Sequence, residues 1–193
     1  MTIISVRAKE SGAGLVIITA LHDEKKQKYT VTEGTYREIG CPLSGEVLDS
    51  EAEKLLTRKD EERRAIAKAL SLLSFADNSE RSLRAKLTRA GFSRAATDSA
   101  VKECVMRGYL DEERMLECAV RSMARELYGK RKMLAKLSAR GFSQASIIRA
   151  ISALEDKGEV NFAEMKHELL SKKLDTEATR EEKLKLLHRY GYI

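Results

Sequence analysis

Arginine and lysine concentrate in one stretch of the chain, where their number is suited to binding anions. Residues 81–140 hold fifteen basic and seven acidic residues, whereas the whole chain has a net charge of +6. The planar guanidinium of arginine donates two parallel hydrogen bonds to a carboxylate or a phosphate. The pattern favours a surface for an anionic partner, either nucleic acid or an acidic protein groove. The alternative is that these cations only solvate helix faces.

A predicted helix over residues 111–127 has an apolar side and an arginine side. At about 100° per residue, Arg114, Arg121 and Arg125 fall together. Opposite to them lies an apolar stripe, as expected for a helix packed on a core, formed by Leu116, Ala119, Val120, Met123 and Leu127.

Three more cations begin the next predicted helix, in the segment Tyr128-Gly-Lys-Arg-Lys132. The helix dipole disfavours positive charge at this end, by a few tenths of a kcal/mol for each exposed cation. Fold stability gives no reason for such a choice, whereas an anionic partner does. Tyr128 is a candidate for stacking on that partner, with packing at the helix end as the alternative. The predicted partner-binding residues are Arg81, Arg84, Lys86, Arg89, Arg114, Arg121, Arg125, Tyr128, Lys130, Arg131, Lys132, Lys136 and Arg140.

These residues lie in a segment that repeats itself at a spacing of 50 residues. Ten of the thirty positions in 81–110 are identical in 131–160, and a weaker third copy ends at Gly191-Tyr192. A fixed period of this length is typical of stacked helical units, each too small to bury its own apolar face. The functional residues are expected where the copies differ, as where Arg84 corresponds to Leu134.

The glycine-aromatic pairs of the repeat predict how its helices end. If Gly91 is the left-handed residue just past a helix, Phe92 contacts Leu87 in the usual cap arrangement. The same rule joins Phe142 to Leu137, and Tyr192 to Leu187. We therefore interpret these residues as architectural and not as ligand-binding. Asx residues at the matching positions 111 and 161 are expected to cap the start of their helices.

We predict a mainly α-helical protein of tandem three-helix repeats in an elongated, curved array, with a small N-terminal antiparallel β segment. Runs of β-branched residues predict strands at 2–7, 14–21 and 28–32, joined by turns at 11–14 and 22–26. The predicted divisions are a β-rich extension (1–48), a linking helix (49–59) and repeats at 60–110, 111–160 and 161–193, the third without its last helix. The predicted repeat helices are 60–76, 80–90, 94–107, 111–127, 130–140, 144–157, 161–174 and 179–190.

Composition argues against several other classes of protein. Cys41, Cys104 and Cys118 show no metal-binding or disulfide spacing, so we expect buried free thiols in a reducing cytoplasm. No apolar run approaches the roughly 20 residues that cross a membrane, and no signal peptide is evident. Motifs for nucleophilic catalysis or phosphate binding are missing. We expect a cytoplasmic, monomeric protein without catalytic site, metal or cofactor.

The order of motifs resembles the RecX family of bacterial regulators of the RecA recombinase. The similar segments are Ser82-Leu-Arg-Ala-Lys-Leu-Thr-Arg-Ala-Gly-Phe92, Gly108-Tyr-Leu-Asp-Glu-Glu-Arg114, Tyr128-Gly-Lys-Arg131 and Lys136-Leu-Ser-Ala-Arg-Gly-Phe142. The resemblance covers about residues 60–193. The chain departs from the family pattern at Lys130, where proline is common, and at Met115, where an aromatic residue is common.

The resemblance implies three tandem three-helix units that bind in the groove of the RecA filament on single-stranded DNA. Such binding would block filament growth and lower ATP hydrolysis and strand exchange, without catalysis by the regulator itself. A direct DNA-binding module, with single- or double-stranded DNA as partner, is the alternative that the basic segment also permits.

Overall fold

The computed structural model describes residues 1–9, 14–22, 24–76, 78–175 and 177–193. Three strands and nine helices occur within these ranges. The chain divides into two units: Met1–Ser74 with Arg84–Arg107, and Phe75–Leu83 with Gly108–Ile193.

The β-branched runs near the start of the chain form the predicted three-stranded antiparallel sheet. Its strands are β1 (Thr2–Ala8), β2 (Leu15–His22) and β3 (Lys25–Thr32), in that order across the sheet. The predicted turn at 22–26 was too long, because β3 already begins at Lys25 and extends the hairpin. The other predicted turn includes residues 11–13, which lie outside the described residues.

One face of this sheet contributes to a hydrophobic core in the first unit. Alternate residues of β2, namely Val16, Ile18 and Ala20, are buried in a cluster that also includes Leu56 of the following long helix. This period of two is what a half-buried strand requires. This face of the sheet therefore packs against helix.

Two helices follow the sheet in the first unit. The short helix α1 (Glu33–Glu38) begins at Thr32, whose hydroxyl accepts the Thr35 N–H. Helix α2 (Ser50–Phe75) is continuous. The prediction of a linking helix over 49–59 and a separate helix from residue 60 was therefore wrong.

Asp60 explains why α2 does not break at the predicted boundary. Neither glycine nor proline occurs in α2, so nothing there opposes a continuous helix. The Asp60 carboxylate accepts the Thr30 N–H of β3 at 2.8 Å and does not cap a helix. In addition, Arg63 Nε donates to the Thr30 carbonyl at 2.7 Å. The two side chains hydrogen-bond the outer edge of β3, which would otherwise be open to another strand.

The remaining helices agree with the predicted ones to within about two residues, the usual uncertainty of helix ends. They are α3 (Glu80–Arg89), α4 (Arg94–Met106), α5 (Glu112–Arg125), α6 (Lys130–Ala139), α7 (Gln144–Asp156), α8 (Phe162–Lys173) and α9 (Arg180–Tyr190). The predicted caps are confirmed, since Asp111 accepts the Arg114 N–H, and Asn161 accepts those of Ala163 and Glu164.

Apolar stripes of α5 to α9 form the core of the second unit. Val120, Leu137 and Ile151 are fully buried within it. The expectation that all three cysteines are buried was wrong. Cys41 and Cys118 are exposed and only Cys104 is buried, because Cys41 lies in the loop after α1 and Cys118 on the polar side of α5.

The Gly-aromatic caps, defined as Gly91-Phe92, Gly141-Phe142 and Gly191-Tyr192, end α3, α6 and α9 as predicted. The glycines have φ of +90°, +93° and +80°. In each cap, the backbone N–H of the aromatic residue donates to the backbone carbonyl of the leucine five residues earlier, at 3.3, 3.3 and 3.0 Å. Phe142 is buried in the core, whereas Phe92 is half-buried.

In the second unit, two of these caps also pack on the start of a helix of the preceding repeat. The Ser79 hydroxyl, before α3, donates to the Arg140 carbonyl at 3.2 Å. Fifty residues later along both segments, the Gly129 N–H donates to the Tyr190 carbonyl at 2.7 Å. We call this arrangement the cap contact. It recurs with the spacing of the sequence repeat and so joins neighbouring repeats.

Gly91→Ala and Gly141→Ala test the cap contact as a matched pair. Each places alanine in a left-handed conformation, which costs about 1–2 kcal/mol. A Cβ at Gly141 would lie 2.6 Å from Ser79 Oγ, whereas none of the described atoms lies within 4 Å of one at Gly91. We expect Gly141→Ala to lower the free energy of unfolding by about 1–3 kcal/mol more than Gly91→Ala, measured by urea denaturation. Equal losses would contradict the cap contact.

Candidate partner-binding surface

The cation-rich start of α6 is built on the second cap contact. Gly129 precedes the helix without a capping side chain. The Gly129 N–H donates to the Tyr190 carbonyl, and the Arg131 N–H to the Gly191 carbonyl at 3.1 Å. Carbonyl oxygens thus occupy part of the positive end of the helix, and their partial negative charge reduces the cost of placing cations there.

Aromatic rings lie beside these cations. The Lys136 ammonium lies 4.2 Å from the centroid of the Tyr128 ring, a cation–π distance. The Tyr190 ring lies 5.6 Å from that of Tyr128. Sequence reasoning missed Tyr190, because its counterparts in the other repeats are Arg140 and Ala90 and no repeated pattern marks it.

Arg84, Lys130 and Arg121, all predicted partner-binding cations, form ion pairs within their own unit. Arg84 pairs with Asp98 on α4. Lys130 lies 3.4 Å from Glu155 at the end of α7. The third is Arg121, which pairs with Glu117 and Glu159 and is therefore not free to bind a partner as the predicted arginine side of α5 would require.

Arg121 joins α5 to the loop after α7. Its Nε donates to Glu159 at 2.6 Å, and one of its terminal nitrogens donates to Glu117 at 2.9 Å. Lys157 also donates to Glu117, at 3.1 Å. Hydrogen bonding from Arg121 lowers the pKa of Glu159, while that from Lys157 and then Arg121 lowers the pKa of Glu117. Arg121 therefore positions the α7–α8 loop.

The arginine side of α5 is consequently divided. Arg114 is exposed near the start of the helix. Arg125 lines a groove between α5 and α8, whose other wall carries Glu159, Glu164 and Glu168. This groove is mixed in charge, so α5 is not the uniform cationic surface that its sequence indicated.

The second helix of the middle repeat presents a more uniform surface. Lys132, Lys136 and Arg140 follow one another at intervals of four, which places them on one side of a helix. We call these three residues the α6 basic stripe. Lys136 and Arg140 are exposed and Lys132 is half-exposed, and none has an acidic partner among the described residues. Arg131 is exposed beside the stripe.

The other predicted residues lie on α3. Arg81 belongs to the second unit, and Lys86 and Arg89 belong to the first. Arg81 and Arg89 are exposed and Lys86 is half-buried. The predicted set therefore falls on both units, and we describe the α6 basic stripe as the candidate surface of the second unit.

The described part of the chain offers little to other kinds of site. No three His, Cys, Asp or Glu side chains within it come together as a metal site would require. None of its helices is both long and apolar enough to span a membrane.

Comparison with known proteins gives a consistent family. The model of the first three-helix domain of RecX matches residues 65–104. The regulatory protein RecX of Stenotrophomonas maltophilia (strain K279a) is 31% identical over 115 residues, which are 58% of this chain and 71% of that protein. The regulatory protein RecX of Vibrio vulnificus (strain CMCP6) is 31% identical over 84 residues, 44% of this chain and 55% of that protein.

Two solved structures share the fold. A crystal structure of a regulatory protein RecX superposes with a TM-score of 0.69 and 18% identity, and covers 99% of this chain and 92% of that one. The crystal structure of RecX from Lactobacillus salivarius has a TM-score of 0.54 and 16% identity, with coverage of 68% and 86%. The fold prediction of helical repeats with a small N-terminal sheet is confirmed by these likenesses.

Tyr192 provides a test of the packing behind the α6 basic stripe. Its hydroxyl donates to the Leu127 carbonyl at 3.1 Å, and burial raises its pKa to about 12. Because an unfolded tyrosine ionises near pH ~10, the stability that Tyr192 contributes is complete below that pH and is lost as the pH rises toward 12. After a rapid pH jump, tyrosinate absorbance should show a group titrating near pH 12 that Tyr192→Phe removes. If the lost group titrates near pH 10 instead, Tyr192 is not packed as described.

Proposed function

This chain belongs to the RecX family, and from that premise we propose that it binds the RecA nucleoprotein filament and inhibits it. Binding in the helical groove of the filament would block filament growth, ATP hydrolysis and recombinase activity. The relatives are named regulatory proteins, and a regulator requires a partner. The proposed setting is the bacterial cytoplasm, where the protein acts as a monomer without catalysis.

The observation that supports this proposal is the α6 basic stripe. Its three cations have no acidic partner among the described residues, so their charge is available to carboxylates or to DNA phosphates. Lys136 is held over the Tyr128 ring, which limits the side-chain entropy lost when it binds. Such a surface suits an anionic partner, whether DNA phosphates or the carboxylates of a protein groove.

The repeat architecture suggests how binding would inhibit. The cap contact fixes the start of α6 against the end of α9, so the cations are presented on a rigid helix and not on a loop. A rigid element that contacts more than one filament subunit would oppose the rearrangements that accompany subunit addition and ATP hydrolysis. The bound form of the filament is then stabilised by mass action, so inhibition increases with the concentration of the regulator.

Arg131→Glu with Lys132→Glu tests the surface. Arg131 is exposed and Lys132 is half-exposed, and neither forms an ion pair among the described residues, so the variant should fold as the parent does. Loss of two charge-assisted contacts, at about 1.4 kcal/mol for each tenfold change, should raise the concentration needed for half-inhibition of RecA ATPase on single-stranded DNA by about 10- to 100-fold.

A matched control is Lys166→Glu with Lys173→Glu, which makes the same charge change at exposed positions of α8. We expect this control to inhibit within about twofold of the parent, since screening limits the effect of distant charges. If both double variants lose inhibition equally, net charge acts and not the α6 surface. If neither does, the proposed surface is wrong.

Direct DNA binding is the second candidate function, supported by the basic excess of residues 81–140. The two functions separate when RecA is omitted. Direct binding to single-stranded DNA predicts an affinity that falls steeply with salt. A plot of the logarithm of the binding constant against the logarithm of the salt concentration should have a slope of roughly −0.7 for each phosphate contact. Inhibition of RecA without measurable binding to bare DNA would favour the filament as the partner.

A further inference from the structure

The Gly91-Phe92 cap has the geometry of the other two caps, and α2 contacts it through Arg64, which lies 5.9 Å from the centroid of the Phe92 ring. Unlike the other two caps, it has no helix start packed on its glycine among the described residues. Gly91 has φ of +90°, and none of the described atoms lies within 4 Å of a Cβ built there. Ala90 and Gly91 are exposed. The positions 50 residues before Ser79 and Ser82 are 29 and 32, which belong to strand β3. The chain therefore supplies no helix start for this cap at the repeat spacing.

The carbonyl before the glycine shows the same difference. The Arg140 carbonyl accepts the Ser79 hydroxyl, and the Tyr190 carbonyl accepts the Gly129 N–H. The corresponding Ala90 carbonyl accepts no hydrogen bond among the described residues. The two occupied caps thus show which group this carbonyl fits: a donor at the residue that precedes a helix.

The charged side chains around this cap indicate which residues a helix that binds there would carry. Arg89 is exposed and has no acidic partner in the described ranges. The Arg94 side chain is 97% exposed, and its contact with Asp98 is long, at 3.8 Å. Helix starts favour Asp and Glu in their first turn. An incoming helix with acidic residues there would bring them to the segment that carries Arg89 and Arg94. The carboxylate already at this cap, Glu61 of α2, accepts the Ser93 N–H and hydroxyl at 2.7 and 2.8 Å.

From these observations we propose that the exposed cap at Ala90-Gly91 docks the start of an α-helix from a partner protein. The fitting helix has Ser or Gly at its N-cap, as at residues 79 and 129, and Asp or Glu in its first turn. Its N-cap donor hydrogen-bonds to the Ala90 carbonyl, and its backbone passes close to Gly91. The partner helix thereby extends the stack of repeats by one cap contact.

A second copy of this chain is a poorer occupant. The helix start that corresponds to residues 79 and 129 is Thr179, before α9. Its N–H and hydroxyl both donate to the Glu182 carboxylate, at 2.8 and 2.9 Å. This capping box already uses the donors that the Ala90 carbonyl would need, and the β-branched Thr179 is bulkier than Ser or Gly. The occupant is therefore sought on another protein.

The test uses the full chain, labelled with ¹⁵N, and a synthetic helical peptide of about 20 residues, long enough to hold a helix. The peptide begins with Ser followed by two Glu residues, and a control peptide carries these residues at its other end. We expect saturable shifts of the Gly91 and Phe92 amides with the first peptide, weakened at least tenfold for the control peptide and for Gly91→Ala. Because the alanine Cβ introduced at position 91 would lie within 4 Å of none of the described atoms, this variant should remain folded.

Arg89→Glu provides an independent variant, expected to weaken the same shifts at least tenfold while leaving the spectrum otherwise unchanged. No saturable shift at Gly91 and Phe92 would overturn the proposal, as would shifts that Gly91→Ala and Arg89→Glu leave intact. Concentration-dependent self-association that Gly91→Ala abolishes would also overturn it, because the occupant would then be a second copy. No RecA is present, so this outcome is independent of the proposed function.

Discussion

The contact between a left-handed glycine cap and the start of a helix in the preceding repeat is the interaction on which the second unit depends. It satisfies backbone groups that both helix ends would otherwise leave without partners. It occurs at Gly141 on Ser79 and at Gly191 on α6, with a φ near +90° at both glycines. A side chain would not fit at either glycine, because a Cβ would lie 2.6 Å from Ser79 Oγ at Gly141 and within 3 Å of the Lys132 backbone at Gly191.

The same contact lowers the cost of placing positive charge at the start of α6. Carbonyls from the last residues of the chain face the first-turn amides of α6, so cations at this helix start are less costly than the sequence alone indicates. Tyr128 and Tyr190 lie beside them. The middle repeat can therefore carry the α6 basic stripe on a rigid helix. In contrast, Arg121 of α5 binds Glu159 and holds the loop between α7 and α8.

What could be predicted from the sequence is what depends on neighbours along the chain. The repeat spacing and the Gly-aromatic pairs predicted the helix ends, since cap geometry is local. The pairing of Arg121 with Glu159 was not predictable, because it joins residues 38 apart through helix packing. The continuous α2 was not predictable for the same reason, because the Asp60 carboxylate bonds to Thr30 of β3, a residue 30 positions earlier in the chain.

Amide hydrogen exchange at the start of α6 tests the cap contact most directly. First-turn amides of a helix ordinarily exchange fast, because they have no partner within the helix. We expect the Gly129 and Arg131 amides to be protected nearly as well as the core of the second unit, since carbonyls of the last repeat accept them. The Arg180 and Glu181 amides at the start of α9 serve as the unprotected reference. Exchange at Gly129 and Arg131 as fast as at this reference would contradict the account.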